Sequence, residues 1–181
     1  MAFLQKIRPS LPRPKYKPFA AVILSIVMLT PGGLAASSGL KELDNPQLRG
    51  TATFRYLGFP LYDAQLFTPD GAAFSWSEDF GLELKYRRNV TQKALINSTL
   101  DEMKRIGRAA PVRDQLQTCF KAVSKGDRYL AVSDGPDTVS FWLNGRKTCT
   151  MSYPGIKRSF MSVFLGDKTR SAAFTQRLRG Q

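Results

Sequence analysis

From residue 48 onward, apolar and polar positions follow one another with periods that mark strands and helices in turn. Residues 50–67 carry Phe54, Tyr56, Phe59, Leu61, Tyr62 and Leu66, a density of aromatic side chains that predicts two strands, with Gly58 and Pro60 at the bend between them. Thr68-Pro69-Asp70-Gly71 closes the second strand with turn-forming residues. In residues 81–87, Leu82, Leu84 and Tyr86 alternate with Glu83, Lys85 and Arg87, the period of a strand with one face in the core and one in water. Thr91 suits a helix N-cap, and the segment it opens runs to Gly107 with Leu95, Ser98, Met103 and Ile106 on one stripe. Pro111 suits a first helical position, and Val112, Leu116, Cys119, Phe120 and Val123 recur at helical spacing behind it, the clearest helix in the chain. Residues 128–133, 138–143 and 147–151 read as three strands of an antiparallel meander, the last two joined by the hairpin pair Asn144-Gly145. Pro154 opens another helix with Ile156, Phe160, Val163 and Phe164 on one face, and Gly166 stops it before a short segment bearing Phe174 and Leu178.

Helices that follow one another with no strand between them argue against parallel βαβ units. The order predicts an α+β fold, an antiparallel β-sheet covered by a layer of helices, as a single domain over residues 48–181. Residues 36–47 are polar, lack periodicity and read as a lead-in to it.

Ahead of that lead-in, Lys6, Arg8, Arg13, Lys15 and Lys17 precede an apolar stretch over residues 19–29, broken only by Ser25. Thr30-Pro31-Gly32-Gly33 and small residues around Ala35 follow. This order predicts a signal peptide over residues 1–35, too short in its apolar part for the roughly 20 residues of a bilayer span. An uncleaved anchor helix is the alternative, and under either reading the body is exported, to the periplasm or outside the cell. Without the leader, 22 basic and 14 acidic residues remain, a net charge of +8 rather than +13. The bases are scattered and no aromatic nucleic-acid motif accompanies them, which argues against nucleic-acid binding. Peripheral attraction to an anionic membrane surface fits this charge better.

The 181 residues include no histidine, which excludes Ser-His-Asp and Cys-His mechanisms and His-ligated metal sites. Neither a Walker loop nor a dinucleotide fingerprint is present, so no cofactor and no metal is implied. Two cysteines, Cys119 and Cys149, survive into an export compartment. They either pair there as a disulfide or serve as two small buried hydrophobes.

Several stretches together resemble the chalcone isomerase-like family, in particular its small exported bacterial branch. Residues 48–67 look like that family's opening strand pair, with Phe59, Tyr62, Ala64 and Leu66 as a Phe-x-x-Tyr-x-Ala-x-Leu core. Residues 82–88, 125–128, 141–146 and 164–169 resemble later blocks in the same order and at compatible spacing. The resemblance implies an apolar cleft between sheet and helices, in which some members close a flavanone ring and others bind fatty acids. By block alignment the family's strand threonine falls at Tyr62, its helix tyrosine at Val90, its helix asparagine at Asn97 and its late threonine at Val163. Only the asparagine is kept, although Tyr62 and Ser162, beside Val163, still offer hydroxyls. The family's strand arginine falls next to Arg49 and the exported branch's own arginine close to Arg55.

The depleted hydroxyl set points to a non-catalytic protein that binds a fatty acid or similar apolar carboxylate in the cleft. The ligand-binding candidates are Arg49, Arg55, Tyr62, Asn97 and Ser162. Two alternatives stay open: an isomerase or lyase acting on a chalcone-like polyphenol, and a structural or partner-binding envelope module. Each candidate also has a structural reading, with Tyr62 as core aromatic, Asn97 as a local cap and the arginines as solvated charges. Arg49 and Arg55 lie six residues apart, so they share a face in an unbroken strand and are separated by a bulge.

Overall fold

Strand alternation and tight turns build the sheet one hairpin at a time. In a computed structural model of the protein, which describes residues 38–181, six strands lie in chain order, each antiparallel to the next. They are β1 (Pro46–Tyr56), β2 (Phe59–Pro69), β3 (Gly81–Tyr86), β4 (Arg128–Asp134), β5 (Thr138–Leu143) and β6 (Arg146–Ser152). Helices α1 (Gln92–Arg105) and α2 (Arg113–Cys119) intervene between β3 and β4, and α3 (Ile156–Leu165) and α4 (Ala172–Leu178) follow β6. The expected α+β architecture, an antiparallel sheet under a helical layer, is thus the observed one. The leader predicted over residues 1–35 lies outside the described residues.

The hairpins β1–β2 and β5–β6 close through two-residue turns with both residues left-handed, Leu57-Gly58 (φ 49° and 81°) and Asn144-Gly145 (φ 50° and 80°). This is the turn whose twist matches the strands. Register puts Ala52 opposite Ala64, Phe54 opposite Tyr62 and Tyr62 opposite Tyr86, so small and aromatic residues share the inner face. Gly50 lies on that face too, where a Cβ would come within 2.4 Å of the Leu178 carbonyl oxygen. Its missing side chain is what lets α4 rest directly on β1.

The outer face is drier than alternation alone predicts. The lead-in contains a 3-10 helix (Ser38–Glu42), and Leu40 and Leu43 join Leu130, Val132 and Trp142 in a separate apolar cluster. Gly39 lies flat on the Trp142 indole, where a Cβ would clash at 2.4 Å. Glu83, expected to be wet, is 5% exposed and ion-paired with Arg128.

The helices follow the sequence signals with two corrections, the smaller being that α3 begins at Ile156 behind Gly155, so Pro154 lies outside it. Thr91 caps α1, its hydroxyl accepting from the Ala94 N–H at 3.2 Å. The helix predicted from Pro111 through Val123 covers only Arg113–Cys119, and Pro111 lies outside it. Phe120 is already extended, and Val123 pairs with Val90 through two backbone hydrogen bonds of 2.9 Å. Tertiary partners take the carbonyls that helix propagation would have used. Gln92 Nε2 donates to the carbonyls of Gln117 and Phe120 at 2.8 and 2.7 Å, and the Tyr129 hydroxyl donates to that of Cys119 at 2.8 Å. Phe120 and Val123 remain buried, but on extended chain.

Cys119, at the end of α2, and Cys149, in β6, are disulfide-bonded with Cα atoms 4.9 Å apart at a sequence separation of 30. Closing a loop of that length restricts the unfolded chain. A Cys119→Ser, Cys149→Ser double variant is expected to lose about 3 kcal/mol of stability in urea unfolding. An unchanged midpoint would show that the bridge adds nothing to the fold.

Candidate functional site

Short helices cannot cover a six-stranded sheet without gaps, and one such gap lies over the inner face of β1, β2 and β3. There a cavity of about 320 Å³ is enclosed by those strands, by α1, by α3 and by the segment leading into α4. That volume falls at the lower end of small-molecule sites, roughly 300–1,000 Å³. Its walls are largely apolar, with Phe54, Leu61, Tyr62, Leu95, Val163 and Phe164 among them. A smaller void of about 40 Å³ adjoins it, sharing Leu84, Tyr86 and Leu95 and reaching Phe120, Phe141 and Phe160. Residues Ala94 to Glu102 of α1 contribute to the lining, about 12 Å of helix at 1.5 Å per residue.

Tyr62 sits at the centre of the aromatic wall, its ring 5.2 Å from Phe54, 6.0 Å from Tyr86 and 6.1 Å from Phe174. Burial is the main reason the Tyr62 phenol is held far above its ordinary pKa, with the nearby Tyr86 and Glu102 adding to the effect. Burial likewise raises Tyr86, with Tyr129 adding to it. Both phenols are therefore neutral over the physiological range. Among the described residues neither hydroxyl has a hydrogen-bonding partner in the protein, so each can serve a ligand.

The polar part of the lining is built around Glu102, a carboxylate 4% exposed. Arg170 Nε donates to its Oε2 at 2.6 Å, and Arg105 Nε donates to the same oxygen at 2.9 Å. Arg105 also reaches Oε1 and, at 2.6 Å, the Lys168 carbonyl. Burial works against the charged form of Glu102. The hydrogen bonds and charges of Arg105 and Arg170 outweigh it and hold the pKa below the usual carboxylate range. One carboxylate between two guanidinium groups leaves one net positive charge at the cavity wall. Arg170 lines the cavity, and among the described residues its two terminal Nη groups have no protein partner. They are free to form a fork onto an incoming anion.

Of the five ligand-binding candidates named from the sequence, the structure places only Tyr62 in the cavity. Arg49 is the extra residue of a bulge between Leu48 and Gly50. Its guanidinium donates to the carbonyls of Arg179 and Gly180 at 3.2 and 3.3 Å, tying down the end of the chain. Arg55 lies beyond a second register shift, exposed, with Nη1 3.4 Å from the Gly58 carbonyl. Asn97 points to the side of α1 and accepts from Arg113 Nη1 at 3.2 Å. Ser162 is buried in α3 outside the cavity lining. Val90 and Val163, where the family's tyrosine and late threonine align, do line it, so hydroxyl positions have become apolar wall.

Sequence reasoning missed Arg170, Glu102 and Tyr86. Glu102 carried a usable signal, because it falls seven residues after Leu95 on the apolar stripe of α1. Arg170 carried none, since it lies between helices, flanked by Thr169 and Ser171.

No protein-family model and no curated protein matches the sequence. Among solved structures, a fatty-acid binding protein of Arabidopsis thaliana matches with a TM-score of 0.57 over 76% of this chain and 88% of that one, at 12% identity. At that identity the likeness is one of fold, and the fold is chalcone isomerase-like.

Because the folded-state pKa of Glu102 is depressed, its contribution to stability is present above the ordinary carboxylate pKa of about 4.3 and is lost as pH falls through the folded value. Glu102→Gln is expected to cost about 2 kcal/mol at neutral pH, allowing for the two half-exposed arginines, and to flatten the acid limb of the stability curve. Urea unfolding between neutral pH and about pH 3 checks both effects.

Proposed function

We propose that this protein is a non-catalytic binder of a fatty acid or a similar apolar carboxylate, held in the cavity between sheet and helices. The observation that carries this reading is the pairing of a largely apolar cavity with a net positive Glu102–Arg105–Arg170 cluster whose free Nη groups belong to a lining residue. The acyl chain occupies the aromatic and aliphatic walls and the void toward Phe120 and Phe141. The carboxylate meets Arg170, with the neutral phenols of Tyr62 and Tyr86 as further donors.

The magnitudes allow it. Burying about ten methylenes at roughly 0.8 kcal/mol each and forming one charge-assisted hydrogen bond of about 2 kcal/mol must offset at least about 4 kcal/mol of lost freedom. About 6 kcal/mol remains, a dissociation constant in the tens of micromolar, and a second hydrogen bond tightens it. The fold shared with a fatty-acid binding protein supports the same reading. Export also belongs to the proposal: the disulfide fits an oxidising compartment, in keeping with the leader expected over residues 1–35.

Catalysis by ring closure lacks support in this cavity. The positions where the ring-closing members carry a tyrosine and a late threonine are Val90 and Val163 here, both apolar wall.

Arg170→Ala is expected to weaken binding of a long-chain fatty acid about 10- to 100-fold, while Arg49→Ala and Arg55→Ala leave it unchanged. Val163→Trp, which fills the cavity, is expected to abolish binding with the fold retained. Titration against a fluorescent acyl probe measures all four, with circular dichroism reporting the fold. Wild-type protein that takes up no acyl chain would overturn the reading, and turnover of a chalcone would replace it with the lyase.

A further inference from the structure

The β1–β2 hairpin ends in a cluster that folding does not account for. Leu57 is 80% exposed, Phe59 59% and Tyr56 54%, three large apolar side chains turned largely to solvent at one tip. Leu57 also stands in the left-handed region at φ 49°, a conformation that asparagine and glycine tolerate and a branched aliphatic residue does not. The β5–β6 turn has the same pair of φ angles and places Asn144 there. The chain thus uses a favourable residue in one turn and an unfavourable, exposed, apolar one in the other.

The surroundings of the tip are basic. The Arg88 guanidinium carbon lies 4.7 Å over the Phe59 ring, and Arg55 Nη1 reaches the Gly58 carbonyl. Among the described residues neither arginine meets a carboxylate. Arg87 is close by, bonded to Asp63 at 2.7 Å. An apolar tip collared by cations matches a lipid bilayer with anionic head groups: the side chains enter the acyl boundary and the guanidinium groups stay at phosphate level. We propose that the Tyr56–Phe59 tip docks this protein onto an anionic membrane surface. Tyr56 and Leu61 also line the cavity, so the docked hairpin sets one wall of the cavity beside the lipid. That consequence extends the acyl-binding reading, but the docking itself does not need a loaded cavity.

The test reads position 57 directly. In the full chain carrying Leu57→Trp, with the wild-type signal of Trp76 and Trp142 subtracted, the introduced indole is expected to shift to the blue on vesicles of phosphatidylglycerol and phosphatidylcholine. Brominated acyl chains should quench it there, and pure phosphatidylcholine vesicles should do neither. Every variant is compared in the same full chain, so any membrane affinity of residues 1–35 is common to all arms and the differences belong to the tip. Leu57→Asn is expected to raise the melting temperature by a few degrees and to lower affinity for the anionic vesicles about tenfold or more. Arg55→Glu with Arg88→Glu should abolish the difference between the two lipids. An indole unmoved by anionic vesicles would overturn the proposal. So would a blue shift that appears on raising protein concentration without lipid, which would assign the tip to a second copy or another protein surface. Vesicles containing no free fatty acid keep this result separate from acyl binding: failure here with acyl uptake intact would reject the docking alone.

Discussion

Burying the inner face of the sheet is the constraint from which the other features follow. That face carries Phe54, Tyr62 and Tyr86 across three strands, and aromatic rings on a sheet need a cover of matching shape. The cover is made of four helices, two of them only seven residues long. Gly50 brings α4 to touching distance of β1, and Phe174 from α4 meets Phe54 edge-on at 5.6 Å. Between this contact and α1 the layer does not close, and the space left is the cavity. A ligand site here is therefore the remainder of an imperfect helical cover rather than a separate structure.

Two buried charges hold the edges of that cover, and they differ in what they leave free. Lys157, 4% exposed in α3, meets Asp79 at 2.9 Å; Asp79 also accepts from Ser133 Oγ and from the Gly135 N–H, both at 2.9 Å. Burial opposes the Asp79 carboxylate, but its backbone and side-chain hydrogen bonds hold its pKa down. That pair is a strut, joining α3 to the segment before β3 and to the β4–β5 turn. The Glu102 cluster joins α1 to the segment before α4 with one guanidinium to spare. The net positive charge this leaves beside an apolar cavity is what distinguishes the Glu102 cluster from the Lys157–Asp79 strut.

The strands and most of their turns were legible in the sequence, because alternation, Asn144-Gly145 and the Thr91 cap act over a few residues. The helix through Phe120 and Val123 was overread for an instructive reason. Both positions are buried as the helical period demands, yet Gln92 and Tyr129, distant in sequence, take the carbonyls at the end of α2. The site was far less legible. Tyr62 was found because its neighbours define a strand face, whereas Arg49 is the extra residue of a bulge and Arg55, one residue out of phase with Phe54 and Tyr56, falls on the outer face with Thr51 and Thr53.

The sequence by itself determined most element types, the α+β class and the meander of the last three strands, since these follow from short-range periodicity and turn chemistry. Only the tertiary structure decided which arginine faces the cavity. Arg170 reaches it because the segment between α3 and α4 crosses over Glu102, 68 residues away in the chain. Such a meeting depends on loop path and helix packing, long-range quantities on which the pattern of neighbouring residues carries no information.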